Sequence, residues 1–292
     1  MTRKIRIVDV FTDKPLTGNQ LAVVLDGRDI APRLMQRIAR EMNFSETTFV
    51  LPPENPAHAA KVKIFTPVLE LPFAGHPTIG TAWVLRDEGV VKKDASSFVL
   101  EENIGPVPVR VDGAMVWMTH PKFSFGQVVP HAAVAATLGI DEDDVVHDIP
   151  AQVATTGNPH LYVVLRDQEA VDRAVCERPA LAKLLWRGLG HGVYLFCGAG
   201  EGRLYGRMFA PDNGEDPATG SAAGPLGAFA VRYGLIERAD RVSIEVEQGT
   251  KMGRQSSIHI ALEYGESKDI PEKIEVGGSV MPVVSGELTI PE

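Results

Sequence analysis

A short pattern, Glu-x-Pro-x-x-Gly followed by His or Ser, occurs twice in this chain. It stands at Glu70-Leu-Pro-Phe-Ala-Gly-His76 and, 145 residues later, at Glu215-Asp-Pro-Ala-Thr-Gly-Ser221. Each copy leads into small, apolar, helix-compatible sequence that ends on a glycine at the same offset, Gly89 and Gly234. Pro72 and Pro217 lack the N–H that a strand ladder needs, so the chain must leave the sheet there. Gly75 and Gly220 allow a tight turn and the close approach of another group. Thr219 and Ser221 are expected as helix N-caps. A helix start carries unpaired N–H groups and partial positive charge, which suits a carboxylate or an enolate-like oxygen. One copy alone reads equally well as an ordinary strand–turn–helix junction. Two copies suggest two half-sites that close on one small anion.

More of the chain repeats in the same order. Thr17-Gly-Asn-Gln-Leu-Ala-Val-Val-Leu25 echoes Thr156-Gly-Asn-Pro-His-Leu-Tyr-Val-Val-Leu165, and Phe65-Thr-Pro67 echoes Phe209-Ala-Pro211. Glu101-Glu-Asn-Ile-Gly105 loosely echoes Glu245-Val-Glu-Gln-Gly249. Anchors kept in order imply an internal duplication. The expected halves are 1–125 and 126–292, joined near Lys122–Pro130, with a last strand free to cross back to the first half. Alternating runs such as 5–11, 21–25, 47–51 and 61–66 read as strands, and Pro32 to Met42 has a helical period. Similar halves facing each other would set equivalent turns on opposite walls of one cleft, a usual place for a ligand.

The balance of 29 basic against 38 acidic residues, a net charge of −9, argues against nucleic acid or an anionic membrane as partner. An anionic substrate then needs local donors. No apolar run is long enough to span a bilayer and the N-terminus lacks a signal-peptide core, so the expected compartment is the cytoplasm. Cys176 and Cys197, the two cysteines, have no metal-ligand spacing. No phosphate-binding loop, His-Glu-x-x-His, Gly-x-Ser-x-Gly or EF-hand loop occurs, so neither cofactor nor metal is expected. The simplest chemistry left is proton transfer.

Glu46, between the first helix and a strand, has no counterpart in the second half, where Gly190-His-Gly-Val-Tyr approaches the matching strand. A carboxylate present once in two similar halves suits asymmetric acid–base work. His76 takes the place of Ser221 in the first turn and could donate to a substrate carboxylate or shuttle a proton. Asp216 could bind a hydroxyl or amine, or orient His76. Each has a plainer role: solvated loop residue for Glu46, cap or satisfied histidine for His76, helix-dipole partner for Asp216. Asn19 and Asn158 sit in the paired Thr-Gly-Asn turns, where asparagine is a usual turn residue. Arg254 could pair with an acid or be solvated.

Asp9-Val-Phe-Thr12 with Gly18-Asn19, Ser45-Glu46-Thr47, the two Glu-x-Pro-x-x-Gly turns, and Gln248-Gly-x-x-Met-Gly-Arg254 together resemble the PhzF-like, phenazine-biosynthesis family. The resemblance runs over nearly the whole chain. It implies a diaminopimelate epimerase-like α/β (α+β) fold: two pseudo-symmetric halves, each a rolled, mostly antiparallel sheet around a central helix. It also implies a homodimer and a metal- and cofactor-independent isomerase similar to that acting on trans-2,3-dihydro-3-hydroxyanthranilate. By resemblance Glu46 moves the proton. His76, Asp216 and Ser221 hold and polarise the substrate, with N–H groups near Gly75 and Gly220, and Asn19 joins the substrate-binding set. Cysteine racemases of the same fold carry one Cys on each wall; His76 and Ser221 stand there instead, which favours a single carboxylate. An amino-acid epimerase using His76 as a second base, or a non-catalytic binder of small acids, are the alternatives.

Overall fold

The computed structural model describes residues 1–186, 188–212, 214–266 and 269–291. The chain divides into two compact units, Met1–Thr119 with Gly277–Glu292, and His120–Val276. Strands dominate both, as branched and aromatic residues alternate along them.

The first unit contains β1 (Thr2–Val10), β2 (Asn19–Val24), α1 (Pro32–Met42), β3 (Glu46–Leu51), β4 (Ala60–Phe65), β5 (Glu70–Leu71), α2 (Gly75–Asp87), β6 (Ser97–Glu102), β7 (Gly105–Asp112) and β8 (Met115–Thr119). β1 pairs antiparallel with β2 and β2 parallel with β3; β3 pairs antiparallel with β4 and β4 parallel with β6; β7 and β8 follow antiparallel. A parallel pair needs a crossover, which α1 and α2 supply. The closing strand β17 (Lys273–Thr289) pairs with both β1 and β8, so this sheet rolls up on itself.

Between β8 and β17 the second unit contains β9 (Ser124–Val129), α3 (His131–Leu138), β10 (Ala151–Thr155), β11 (His160–Val164), α4 (Gln168–Arg173), α5 (Arg178–Leu185), β12 (Val193–Gly198), β13 (Arg203–Ala210), β14 (Gly214–Asp216), α6 (Gly220–Arg232), β15 (Arg241–Gln248) and β16 (Ser256–Glu263). Its pairings repeat those of the first unit: β10–β11 antiparallel, β11–β12 parallel, β12–β13 antiparallel, β13–β15 parallel, β15–β16 antiparallel. α2 and α6 thus hold the same place in two copies of one topology.

Both are central helices. Ten of the thirteen residues of α2 and twelve of the thirteen of α6 are buried, which leaves neither a polar face. Their small residues let the sheets come close. A Cβ on Gly80 would sit 2.6 Å from Leu21 Cδ2 and 2.8 Å from Val10 Cγ2; one on Gly227 would sit 2.9 Å from Ile260 Cγ2. α1 instead covers an outer face of the first sheet, burying Met35, Ile38 and Ala39 beside Ala22, Val24 and Phe49. In the second unit α3, α4 and α5 do the same with Leu138, Val171 and Leu181.

One expectation needs correction. Lys122–Pro130, read as a linker, contains β9, which pairs with β10 and packs Phe125 against Phe229 and Tyr233. Its single buried ladder position, Val129, hides the alternation that marks a strand. Residues 168–185 hold α4 and α5, and residue 187 lies outside the described residues. No described helix is long and apolar enough to cross a membrane.

The close seating of α2 gives a test. Gly80→Ala should destabilise the protein by about 1–3 kcal/mol, the usual cost of overpacking, read as a lower urea midpoint. An unchanged midpoint would contradict the packing described.

Candidate active site

The two repeated turns build similar strand–turn–helix junctions, one in each unit. In the first, β5 ends at Leu71, immediately before Pro72, and α2 begins at Gly75 with Ala74 as N-cap in extended conformation. His76, the second helical residue, is 4% exposed. Its Nε2 lies 3.3 Å from Glu46 Oε2, close but without the alignment of a hydrogen bond. Its Nδ1 lies 3.3 Å from the Asn19 amide nitrogen. Burial pushes the imidazole pKa down to about 3, against a smaller opposing pull from the Gln20 backbone. The ring is therefore neutral near pH 7, able to donate a hydrogen bond but a weak base.

Three of the predicted residues thus meet: Asn19 at the start of β2, His76 on α2 and Glu46 at the start of β3. The ladder fixes Glu46. β2 and β3 run parallel with Leu21 opposite Glu46; in the second unit Leu161 stands opposite Val193. The position that carries a carboxylate in one unit carries a valine in the other.

In the second junction Asp216 ends β14, and Gly220 and Ser221 begin α6. Asp216 is 9% exposed, and its Oδ2 accepts a 2.5 Å hydrogen bond from Thr219 Oγ1. The expected caps are corrected here. Thr219 does occupy the N-cap position, but its hydroxyl is committed to Asp216 and makes no side-chain cap; Ser221 lies inside the helix, at its second residue.

What shapes this turn is Gln248, fully buried at the end of β15. Its Oε1 accepts from Thr219 N at 3.2 Å and from Tyr194 OH at 2.7 Å; its Nε2 donates to Asp216 O at 2.8 Å and Thr219 Oγ1 at 3.0 Å. Ser256 Oγ donates to Pro217 O at 2.9 Å. Gly249, at φ 78°, lets Pro217 O approach to 2.5 Å of where a Cβ would be. Arg254 closes the same loop through its backbone, its N–H donating to Gly249 O. The motif glutamates are structural. Glu215 takes both Nε and Nη2 of buried Arg207, whose Nη1 donates to Val171, Asp172 and Ala174 carbonyls; Glu70 lies 3.3 Å from Lys63.

Sequence reasoning met Gln248 only inside its glycine motif, and missed Tyr194, Arg207 and His120. His120 Nδ1 lies 2.7 Å from Thr156 Oγ1, beneath α6, where a Cβ on Gly224 would come within 2.8 Å. Nothing near His120 in sequence marks it. Asn158 is buried in the second Thr-Gly-Asn turn. Among the described residues no group of three or more His, Cys, Asp or Glu could hold a metal ion.

Two sheets, each wound around a buried helix, make a diaminopimelate epimerase-like fold. A hydroxyproline epimerase from Agrobacterium vitis shares the fold with TM-score 0.68 at 12% identity, over 98% of this chain and 92% of that one. The family is narrower. The pattern of the phenazine biosynthesis-like proteins (PhzC–PhzF) matches residues 8–286. The PhzF-family phenazine biosynthesis protein of Bacillus anthracis superposes with TM-score 0.89 at 25% identity, covering 99% of this chain and 100% of that one. A trans-2,3-dihydro-3-hydroxyanthranilate isomerase of Pseudomonas aeruginosa is 38% identical over 287 residues, 94% of each chain. This chain belongs to the phenazine biosynthesis-like family, and its class of activity is isomerase.

Buried neutral histidines make the fold acid-sensitive. Burial lowers His76 and His120 from 6.5 to about 3 and His160 to about 4. Below pH 6.5 the unfolded chain takes up protons at these rings that the folded chain refuses. Their contribution is complete above that value and is lost as pH falls toward the folded values. Unfolding free energy should drop between pH 6.5 and 4.5, on the order of 1 kcal/mol per ring per pH unit. Urea titrations across this range check it; a flat profile would mean the rings are not buried neutral.

Proposed function

We propose that this isomerase shifts a proton within a small unsaturated carboxylic acid, of the kind named for the Pseudomonas aeruginosa relative, and that Glu46 carries the proton. The observation that carries the reading is the Glu46–His76 pair, a carboxylate oxygen 3.3 Å from a neutral imidazole at the first turn of a central helix. The carboxylate removes a proton from one carbon and returns it to another. The imidazole, neutral at working pH, donates to developing negative charge without competing as a base. The same proposal keeps Asp216 and Ser221 as substrate-binding groups. N–H groups near Gly75 and Gly220 hold its carboxylate. Asn19 orients His76, which bears on the substrate-binding part the sequence reading gave it.

An epimerase needs two opposed acid–base groups. A histidine whose pKa lies near 3 serves poorly as the second, so the single-carboxylate reading stands first. Within the same proposal no organic cofactor or metal takes part in the proton shift, and the working form is a cytoplasmic homodimer. Sedimentation should then give twice the chain mass of 31.6 kDa.

The test is Glu46→Gln, which keeps shape and removes the base. With trans-2,3-dihydro-3-hydroxyanthranilate as substrate, kcat should fall roughly 10²- to 10⁴-fold while the thermal midpoint holds. In D2O the wild type should place one solvent deuteron in the product. Turnover that survives the substitution would reject Glu46 as the proton carrier.

A further inference from the structure

We propose that Glu102 is carried as an uncharged carboxylic acid that donates its proton to Thr78, and that in this form it positions the start of α2 while adding no negative charge to that helix end. The first clause stands on geometry alone. The second rests on the anion-binding role given above to the α2 N-terminus.

The geometry is a count of protons. Thr78 Oγ1 lies 2.6 Å from Ala74 O and 2.5 Å from Glu102 Oε1. The hydroxyl has one proton, and a backbone carbonyl can only accept. With an ionised Glu102 both neighbours are acceptors, and one of these short contacts would set two bare lone pairs against each other. A proton on Glu102 resolves it: Glu102 donates to Thr78, and Thr78 donates to Ala74, the N-cap of α2. Glu102 is 5% exposed, and its Oε2 finds no hydrogen-bond partner among the described residues. The Ala74 backbone hydrogen-bonds the carboxyl, but a buried carboxylate with one oxygen unpartnered is still costly; a neutral acid is far less so.

The second unit supplies an independent comparison. Glu102 is the last residue of β6, the strand after central helix α2; Gln248 is the last residue of β15, the strand after central helix α6. Gln248 is hydrogen-bonded to Thr219, the N-cap of α6, as Glu102 is linked through Thr78 to the N-cap of α2. One unit fills this place with an amide, neutral by constitution. A protonated carboxyl is its nearest equivalent, with one donor and one acceptor end.

Burial is the main cause that drives the Glu102 pKa from 4.5 up to about 8, with Thr78 and the Ala74 backbone pulling the other way. No charged group contributes. Adjacent Glu101 is occupied by His58 and the backbone N–H groups of Glu54 and Asn55; Glu70 is held by Lys63 and Asn103; His76, on the same helix turn, is neutral. An ionised Glu102 would place a full charge where an incoming carboxylate must bind. Its protonation keeps the α2 dipole available.

The experiment compares wild type with Glu102→Gln, which fixes the neutral form. Between about pH 4.5 and 8 the unfolded chain has released a proton that the folded chain retains. This group's contribution to stability is therefore complete below that window and lost as pH rises through it. The variant has no such loss, so its urea midpoint relative to wild type should climb across the window and level off above it. A difference that stays constant would overturn the proposal. Carbon-13 NMR of the side-chain carboxyls of wild type needs no variant: one glutamate titrating near pH 8 and missing from Glu102→Gln supports it, whereas titration of every glutamate in the ordinary acidic range rejects it. For the positioning clause, KM for trans-2,3-dihydro-3-hydroxyanthranilate should rise several-fold above pH 8 in wild type, with kcat little changed, and stay level in the variant. The same rise in both would remove that clause. The stability and NMR readings involve no substrate, so they judge the proton even if Glu46→Gln overturns the functional reading.

Discussion

A helix wrapped on all sides by its own sheet has no face to give to water. That constraint governs both units of this protein. It demands small residues along α2 and α6, because each sheet strand must pass within van der Waals reach of the helix backbone. Gly80 against Leu21 and Val10, and Gly227 against Ile260, show how little room remains. It also demands that every polar group near the helix start find a partner within the protein. Gln248, Tyr194, Thr219 and Ser256 answer this in one unit, and Thr78, Glu102 and Ala74 in the other. The first turn is where such a buried helix presents its unpaired N–H groups.

Much of this was legible before any coordinates. The Pro in each repeated turn marks where a strand must stop, and β5 and β14 do stop at the residue before it. The shared order of anchors appears in the structure as a shared order and sense of strand pairing. Glu46 stood out because Gly190-His-Gly-Val-Tyr offers no acid, and the ladder sets Val193 in its place. What stayed hidden depends on contacts between residues far apart in the chain. Gln248 reaches Thr219 across 29 residues and Tyr194 across 54. Arg207 looks like an ordinary strand arginine until its three carbonyl partners are seen. Glu102 follows Glu101 in sequence, and strand alternation turns Glu102 inward while Glu101 stays half-buried among His58, Glu54 and Asn55. β9 escaped because five of its six residues are not buried, so no apolar rhythm announces it.

The duplication has been kept in topology and relaxed in charge. Glu46 faces a valine in the copy, His76 a serine, and Glu102 a glutamine. Each exchange alters what a position can donate or accept while leaving the backbone frame in place. Such exchanges need no change of fold, which fits a family whose architecture is shared with a hydroxyproline epimerase at 12% identity.

β17 ties the ends of the chain together: Thr2 stands opposite Thr289, and Val10 opposite Val280. The second unit, by contrast, is a continuous stretch, 120–276. On the ribosome the sheet containing β1 stays open until β17 emerges, directly after the intervening unit has all its sequence. The open edge of β1 must then be kept from pairing with other chains throughout synthesis, and the basic residues Arg3, Lys4 and Arg6 along that edge are the kind of charge that discourages such pairing.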